Sequence, residues 1–188
     1  KNYNINKVRR TSSGIQVYYG DKSEYFIYDK VIIATHADQA LSLIEEPLDT
    51  EIDILSNFKY KTNYAFIHQD NKFMPVNKKN WSSWNSSMDG ASIEKNSITY
   101  WLNLLQNIKI KENIFLTLNP YFDIDEDKII KKVQFTHPYF DQKAIDSQKN
   151  LNKIQNKKNI LFCGSYFGYG FHEDGISSSI EMLKNFND

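Results

Sequence analysis

The 188-residue sequence has little cysteine, no net charge and no long apolar run. Its one cysteine, Cys163, excludes an intramolecular disulfide and is typical of a reducing compartment. Its 23 Lys and Arg residues equal its 23 Asp and Glu residues, so no broad positive field exists and no nucleic-acid partner is expected. No apolar run approaches the roughly 18 residues of a transmembrane helix, and no signal peptide is visible. We therefore expect a cytoplasmic protein without a transmembrane segment.

Two common kinds of catalytic site are also missing from the sequence. A metal site is suggested by three potential ligands in a row, His172, Glu173 and Asp174. Three consecutive side chains in a turn cannot easily coordinate one ion, and no His-x-x-x-His pair accompanies them. We predict no metal site. The absence of a G-x-S-x-G elbow also argues against Ser-His-Asp hydrolysis.

Apolar residues make up 40% of the chain and aromatic residues 14%, which is enough for a packed core. Residues 3–8 read as a strand, and "GIQVYY" and "EYFIYD" alternate around the turn signal "YGDKS", which predicts a hairpin. "KVIIAT" (30–35) and "NILFCG" (159–164) are continuous apolar runs, typical of strands buried on both faces. We expect these two strands to lie side by side, although about 130 residues separate them.

Four segments have helical spacing. They are residues 36–45, "DTEIDILSNF" with Asp49 or Thr50 as N-cap, "DQKAIDSQKNLNKI" with Asp141 as N-cap, and a C-terminal helix with Asp174 as N-cap. The middle of the chain holds strand-like runs parted by polar or Gly/Pro residues, which indicates an antiparallel sheet of about five strands. The runs are "KTNYAFIHQD", "NWSSWNSSM", "NSITYWLNLL", "NIFLTLN" and "IKKVQFTHPYF".

This order of elements predicts an α/β domain interrupted by a second, α+β domain. Residues 1–45 and 156–188 would form the first domain, a Rossmann-like arrangement without its first strands. Residues 46–155 would form the second domain, built on the antiparallel sheet. Because the chain starts at Lys1 and not at Met, we expect a piece of a longer protein.

The late segment "CGSYFGYGFHEDGISSSI" joins an apolar strand to an amphipathic helix through a glycine loop. Free amides at a helix start favour an anion or an electron-rich oxygen, whereas the plainer interpretation is a capped helix after a turn. The loop is not a dinucleotide fingerprint, because Gly168 and Gly170 are followed by Glu173 where Gly or Ala is needed.

The segment "GYGFHEDG", with "YDKVIIAT", "WSSWN", "TYWLNLLQ", "TLNP" and "FTHPYFD", resembles the FAD-dependent amine-oxidase-like oxidoreductases. More narrowly, it is similar to their bacterial branch of predicted NAD/FAD-binding proteins. The resemblance covers essentially the whole chain, read as the C-terminal part of a two-domain flavoprotein. It implies FAD as cofactor, residues 46–155 as the substrate domain, and a first β-α unit with G-x-G-x-x-G upstream of Lys1. The chain by itself would then be inactive.

The resemblance also implies residues for the FAD site. Val8 would touch the adenine end through main-chain atoms, and Gly164 and Ser165 would run past the pyrophosphate and ribityl region. Main-chain amides of three residues would meet the flavin ring, namely Asp174, Gly175 and Ile176.

Two positions depart from the family pattern. Ser165 stands where many amine oxidases have an acidic residue. His172, with Phe171 beside it, stands where classical amine oxidases place an aromatic residue against the flavin. His172 could act as an acid or base near neutral pH, or could stabilise the turn. The departure at His172 argues against simple amine oxidation, whereas the flavin interpretation is kept.

For substrate contacts the candidates are Trp84, Asn85 and Tyr100, which could line an apolar pocket or merely pack in the sheet. Cys163 most simply fills the core. We therefore predict an FAD-dependent oxidoreductase that transfers hydride from a small or acyl-chain substrate to flavin. The alternative is a non-catalytic module that binds a ligand or partner through a degenerate cofactor site.

Overall fold

A computed structural model describes residues 3–20, 24–88 and 96–186 of the chain. The strands are β1 (Ile5–Thr11), β2 (Gly14–Tyr19), β3 (Glu24–Tyr28), β4 (Val31–Ile33), β5 (Lys59–His68), β6 (Trp84–Met88), β7 (Asn96–Trp101), β8 (Phe115–Leu118), β9 (Ile129–Tyr139) and β10 (Ile160–Phe162). The α-helices are α1 (Ala37–Leu43), α2 (Asp49–Leu55), α3 (Leu102–Leu105), α4 (Gln142–Gln148) and α5 (His172–Lys184). Two compact units result: unit 1 is Lys1–Tyr60 with Pro138–Asp188, and unit 2 is Lys61–His137.

Unit 1 begins with an antiparallel meander in the order β1-β2-β3. Val8 pairs with Val17, and Val17 pairs in turn with Phe26. The predicted hairpin of β2 and β3 is thereby confirmed, while residues 21–23 of its turn lie outside the described residues. Val8 and Val17 are buried, so the meander turns this face toward the core of unit 1.

The two apolar runs at 30–35 and 159–164 form a parallel pair, β4 with β10. Phe162 pairs with Ile33, which confirms the prediction that these distant strands are neighbours. Both faces of β10 are buried: Phe162 packs in the main core, and Leu161 packs with Cys163 and Met182. The expectation of burial on both faces is wrong for β4, because Ile32 is 42% exposed.

Helices complete the core of unit 1. The core is built from Val8, Ile15, Val17, Ile33, Ala37, Ala40, Ile44, Ile54, Leu55, Phe58, Ala144, Leu151, Ile154, Ile160, Phe162 and Tyr166. Asp141 caps α4 as predicted and accepts the Ala144 N–H. The predicted cap of α2 is wrong: its N-cap is Leu48, whose N–H donates to the Glu51 carboxylate at 2.8 Å. Across the described ranges, no helix combines the length and apolar content needed to cross a bilayer.

Unit 2 is built on a five-stranded sheet in the order β6-β7-β8-β5-β9. β7 pairs antiparallel with β6 and with β8, and β8 pairs antiparallel with β5. The five predicted strands are therefore confirmed. The predicted third strand was too long, because β7 ends at Trp101 and the short helix α3 follows. Asn103 holds that turn, since its side chain accepts the Ile114 N–H and donates to the Glu112 carbonyl.

The compact units divide after residues 60 and 137, whereas the sequence placed the domain boundaries after residues 45 and 155. The difference comes from α2 and α4, which belong to unit 1: Leu55 and Ala144 are both fully buried in its core. The assignment of one part of the chain to FAD and the other to substrate stays a prediction.

Candidate functional site

The glycine loop follows the carboxyl end of β10, the strand that pairs in parallel with β4. The Cys163 N–H donates to the Ile33 carbonyl at 3.2 Å, and the Gly164 N–H donates to the Ser178 hydroxyl at 2.9 Å. A Cβ atom at Gly164 would lie 2.8 Å from the Tyr166 ring and 3.4 Å from the Thr35 carbonyl oxygen. Glycine is therefore required here by close packing, and the carboxyl ends of β4 and β10 lie together.

Backbone and side-chain hydrogen bonds fold the loop tightly. The Ser165 carbonyl accepts the N–H groups of Gly168 and Gly170, each at 3.1 Å. The Gln148 amide, from α4, donates to the Tyr166 carbonyl at 3.1 Å and to the Gly168 carbonyl at 2.6 Å. Sequence reasoning missed Gln148, because nothing in a helix that ends before Leu151 indicates which side chain reaches a later loop.

Asp174 stabilises the loop through its side chain. Its carboxylate accepts the N–H of Tyr169 at 3.0 Å and that of Phe171 at 2.9 Å. A Cβ atom at Gly168 would lie 2.2 Å from this carboxylate, so Gly168 leaves the space that Asp174 occupies. The prediction of Asp174 as N-cap is wrong: α5 begins at His172 with Phe171 as N-cap, and Asp174 is the third helical residue, in the position of a capping-box acid.

The earlier start of α5 changes which amides are available. The first N–H groups of an α-helix have no partner inside the helix, and in α5 these belong to His172, Glu173 and Asp174. The Gly175 N–H already donates to the Phe171 carbonyl at 3.3 Å. Of the amides assigned from the sequence, that of Asp174 is available, whereas those of Gly175 and Ile176 lie within the hydrogen-bonded helix.

The side chains at the start of α5 face solvent. Phe171 is 70% exposed, and Ile176 and His172 are also exposed. Within the described ranges the His172 imidazole has no hydrogen-bond partner, so a role in stabilising the turn is not seen. The predicted roles of Phe171 and His172 at a flavin stay predictions.

Two further positions of unit 1 for which the sequence made a prediction, Cys163 and Val8, are buried. Cys163 lies in the core, as expected. Val8 is buried and its carbonyl accepts the Glu45 N–H at 3.0 Å. Its predicted contact with adenine stays a prediction, and one lone pair of its carbonyl is already used.

Two tyrosines lie near the segments that follow the parallel strands: Tyr60 contacts the segment after β4, and Tyr166 belongs to the segment after β10. The Tyr60 hydroxyl accepts the Ala37 N–H at 2.8 Å, and its ring stacks on His36 at 4.2 Å. Burial raises the pKa of Tyr60 to about 12. Burial also raises the pKa of Tyr166, whose hydroxyl has no partner among the described residues. Both phenols are therefore neutral at physiological pH and are poor candidates for proton transfer.

In unit 2, Trp84 and Tyr100 are cross-strand partners on β6 and β7, with ring centroids 4.9 Å apart. Trp84 is 60% exposed. Asn85 is used locally: its side chain accepts the Ser82 N–H and donates to the Ser82 carbonyl. The three predicted substrate residues are thus brought near one another, and their contact with substrate stays a prediction.

A cavity of about 840 Å³ lies elsewhere in unit 2, lined by Tyr64, Phe66, Asn119, Pro120, Phe122, Asp123, Ile124, Glu126, Ile129 and Lys132. None of Trp84, Asn85 and Tyr100 lines it. Its volume is in the range of small-molecule pockets, and three of its ten lining residues are aromatic. Sequence reasoning missed these residues because they come from two strands and a loop that are distant along the chain.

His68 was assigned no role beyond a strand position, yet it is fully buried. Its Nδ1 accepts the Asp70 N–H at 3.1 Å, and its Nε2 lies 2.7 Å from the Thr117 hydroxyl. Thr117 in turn lies 2.8 Å from the Thr99 hydroxyl. Burial lowers the pKa of His68 to about 4. The result is a neutral, hydrogen-bonded polar network inside unit 2.

The parallel strand pair, the antiparallel meander and the separate five-stranded sheet define a mixed α/β fold. The same fold is found in a CLA-producing fatty acid isomerase from P. acnes, with a TM-score of 0.64 and 14% identity over 98% of this chain and 47% of that chain. It is also found in an engineered putrescine oxidase, with a TM-score of 0.62 and 9% identity over 100% of this chain and 49% of that chain. Cyclohexylamine oxidase from Brevibacterium oxydans IH-35A has a TM-score of 0.58 and 8% identity over 98% of this chain and 49% of that chain.

The chain therefore spans about half the length of the solved structures it matches. At these low identities the similarity shows a shared fold. No protein-family model and no curated protein matches the sequence.

Proposed function

We propose that the protein is an FAD-dependent oxidoreductase and that unit 1 supplies one wall of its flavin site. The observation that carries the proposal is the passage from β10 through the glycine loop to the start of α5. That passage occurs in a fold shared with putrescine oxidase and cyclohexylamine oxidase. Backbone amides at such a position can contact an electron-rich group.

The residues present fit a flavin better than a free phosphate at the helix start. The first turn of α5 carries two carboxylates, Glu173 and Asp174, and these repel a phosphate. A neutral carbonyl oxygen of a flavin ring is repelled less, and it can accept from the free N–H groups of His172, Glu173 and Asp174. Gly164 and Gly168 let the loop pack closely on the Tyr166 ring and the Asp174 carboxylate, which fixes the path of the backbone between β10 and α5.

FAD, when bound, would accept a hydride from a carbon atom of a small or acyl-chain substrate. The residues of this chain would bind and orient. Gly164 and Ser165 would hold the cofactor from the loop, and the amides at the start of α5 would hold its ring. His172, exposed beside those amides, would hold or move a proton near the reacting atoms.

The test is the visible absorbance of bound flavin in the purified full-length protein. Asp174→Ala removes the acceptor of two loop amides and should lower the flavin content strongly. Asp146→Ala is a matched control, because Asp146 is exposed and its carboxylate contacts Lys149 and Gln142. His172→Gln should retain flavin.

Each other result contradicts a defined part of the proposal. A folded full-length protein that carries no flavin and takes up none would favour the non-catalytic binding module. Unchanged flavin content in Asp174→Ala would show that the site is assigned to the wrong loop. Equal loss in Asp146→Ala would show that the effect reflects general destabilisation.

A further inference from the structure

A cavity in unit 1 lies at the start of β10, whereas the glycine loop follows the end of that strand. Its volume is about 490 Å³, and it is lined by Arg10, Thr11, Ser12, Ile15, Lys158 and Asn159. Lys158 and Asn159 directly precede β10, and Gly164 comes after it. The cavity is therefore separate from the proposed flavin site, at the opposite end of the same strand.

The charge of the cavity wall is positive. Arg10 and Lys158 line it, and none of the described lining residues is acidic. Arg10 forms an ion pair with the fully buried Glu51, so its own charge is balanced. Lys158 is exposed and makes no ion pair with any described residue. The uncompensated positive charge at the cavity is that of Lys158.

The guanidinium of Arg10 is fixed by two hydrogen bonds, and not all of its N–H donors have an acceptor. One terminal nitrogen donates to Glu51 and the other donates to the Glu46 carbonyl at 3.2 Å. The Arg10 side chain is 13% exposed, and its Nε–H is buried without an acceptor among the described residues. A guanidinium carries five N–H donors, and these contacts use one on each terminal nitrogen, so the terminal nitrogens of Arg10 keep donors for an oxygen atom in the cavity that Arg10 lines.

The backbone that presents Lys158 has an unusual conformation. Asn156, Lys158 and Asn159 have φ angles of 52°, 51° and 66°. Asparagine adopts this left-handed region readily, but lysine seldom does, and such residues concentrate at ligand sites. The Asn159 carbonyl accepts the Val31 N–H at 3.0 Å, which ties this segment to β4.

We propose that the cavity binds an oxyanion, a phosphate group or a carboxylate, with Lys158 as its charge partner and Arg10 as a donor. The cation, the remaining N–H groups on the terminal nitrogens of Arg10 and the absence of acid from the described wall all favour an anionic oxygen ligand. The ligand could be inorganic or could be part of a larger metabolite, because the cavity is larger than one phosphate.

The experiment is an NMR titration of the full-length protein, observing the Arg10 Nε–H and the Lys158 and Asn159 amides. Inorganic phosphate, methyl phosphate and acetate are added in parallel, each against sodium chloride at matched ionic strength. Saturable shifts at these three groups with an oxyanion, and not with chloride, are expected. The ligand with the lowest Kd identifies the phosphate or the carboxylate source.

Lys158→Gln should weaken binding about tenfold, because it removes one charge-assisted hydrogen bond. Lys158→Arg keeps the charge and should retain binding. Lys157→Gln is the matched control, since Lys157 is an exposed neighbour that does not line the cavity. The proposal is overturned by equal shifts with chloride, by shifts confined to the glycine loop, or by equal weakening in Lys157→Gln. None of these readouts depends on bound flavin.

Discussion

Lowering the pH from about 6.5 to about 4 is expected to destabilise unit 2, because the fold keeps His68 neutral. The imidazole is fully buried, and burial lowers its pKa from 6.5 to about 4. Asp70 opposes this shift and Lys72 adds to it. Nδ1 accepts the Asp70 N–H, so a proton at Nδ1 would also break a buried hydrogen bond.

The sign and size follow from the two pKa values of His68. Above pH 6.5 the imidazole is neutral in the folded and unfolded chain, and the full stabilisation is present. Between pH 6.5 and 4 the unfolded chain binds a proton that the folded chain excludes, so stability falls as the pH falls. The difference of about 2.5 between the two pKa values corresponds to about 3 kcal/mol.

Urea denaturation of the full-length protein at half-unit pH steps measures this loss, and the His68 Cε1 proton reports its pKa by NMR. His68→Gln keeps a polar group near Thr117 and removes the titration, so its stability should be less dependent on pH in this window. His137→Gln is the matched control, because His137 is an exposed histidine of the same sheet. The ion pairs of Glu45 and Asp125, whose neighbouring cations lower their pKa values to about 2, are lost at lower pH.

Two results would refute this reasoning. One is an NMR midpoint for His68 near 6.5, which would mean that water reaches the imidazole. The other is a pH dependence of stability that remains the same in His68→Gln, which would assign the effect to other groups.

Three further predictions concern unit 1. Gln148→Leu removes both donated hydrogen bonds to the loop carbonyls and should cost about 1–3 kcal/mol, with faster amide exchange at the loop in hydrogen-exchange measurements. Gly168→Ala places a Cβ atom 2.2 Å from the Asp174 carboxylate and should cost about 1–3 kcal/mol in thermal unfolding; a wild-type melting temperature would contradict the clash. Phe162→Ala empties a fully buried position and should cost about 3–5 kcal/mol by chemical denaturation, and a loss below about 1 kcal/mol would show that the core refills.

Local patterns predicted those parts of the fold that depend on neighbours in sequence. The alternation of β2 and β3 predicted their hairpin, and the apolar runs predicted β4 and β10. Asp141 was predicted as a cap because an acid before a helical stripe accepts a backbone N–H. Burial of β4 was predicted wrongly on the face that carries Ile32. Whether that face is covered depends on which other elements pack on it, and local sequence does not specify this.

Asp174 shows where local reasoning fails. A side-chain oxygen near a helix start can serve as N-cap or as the acid three residues later, and the sequence is the same in both cases. In the structure Asp174 is the third helical residue, and the position is possible because Gly168 has no side chain in the space that the carboxylate fills. Moving the helix start to His172 then changed which amides are free.

The sequence by itself determined the order of strands and helices, the parallel pair and the place of the glycine loop along the chain, because these follow from periodicity and from residues that lack a side chain. The tertiary structure decided what meets the loop and what is buried. Gln148 reaches the loop carbonyls, His68 meets Thr117, and Arg10 shares a cavity with Lys158. These contacts join residues that are distant along the chain, and only packing in three dimensions selects which side chains come within hydrogen-bonding distance.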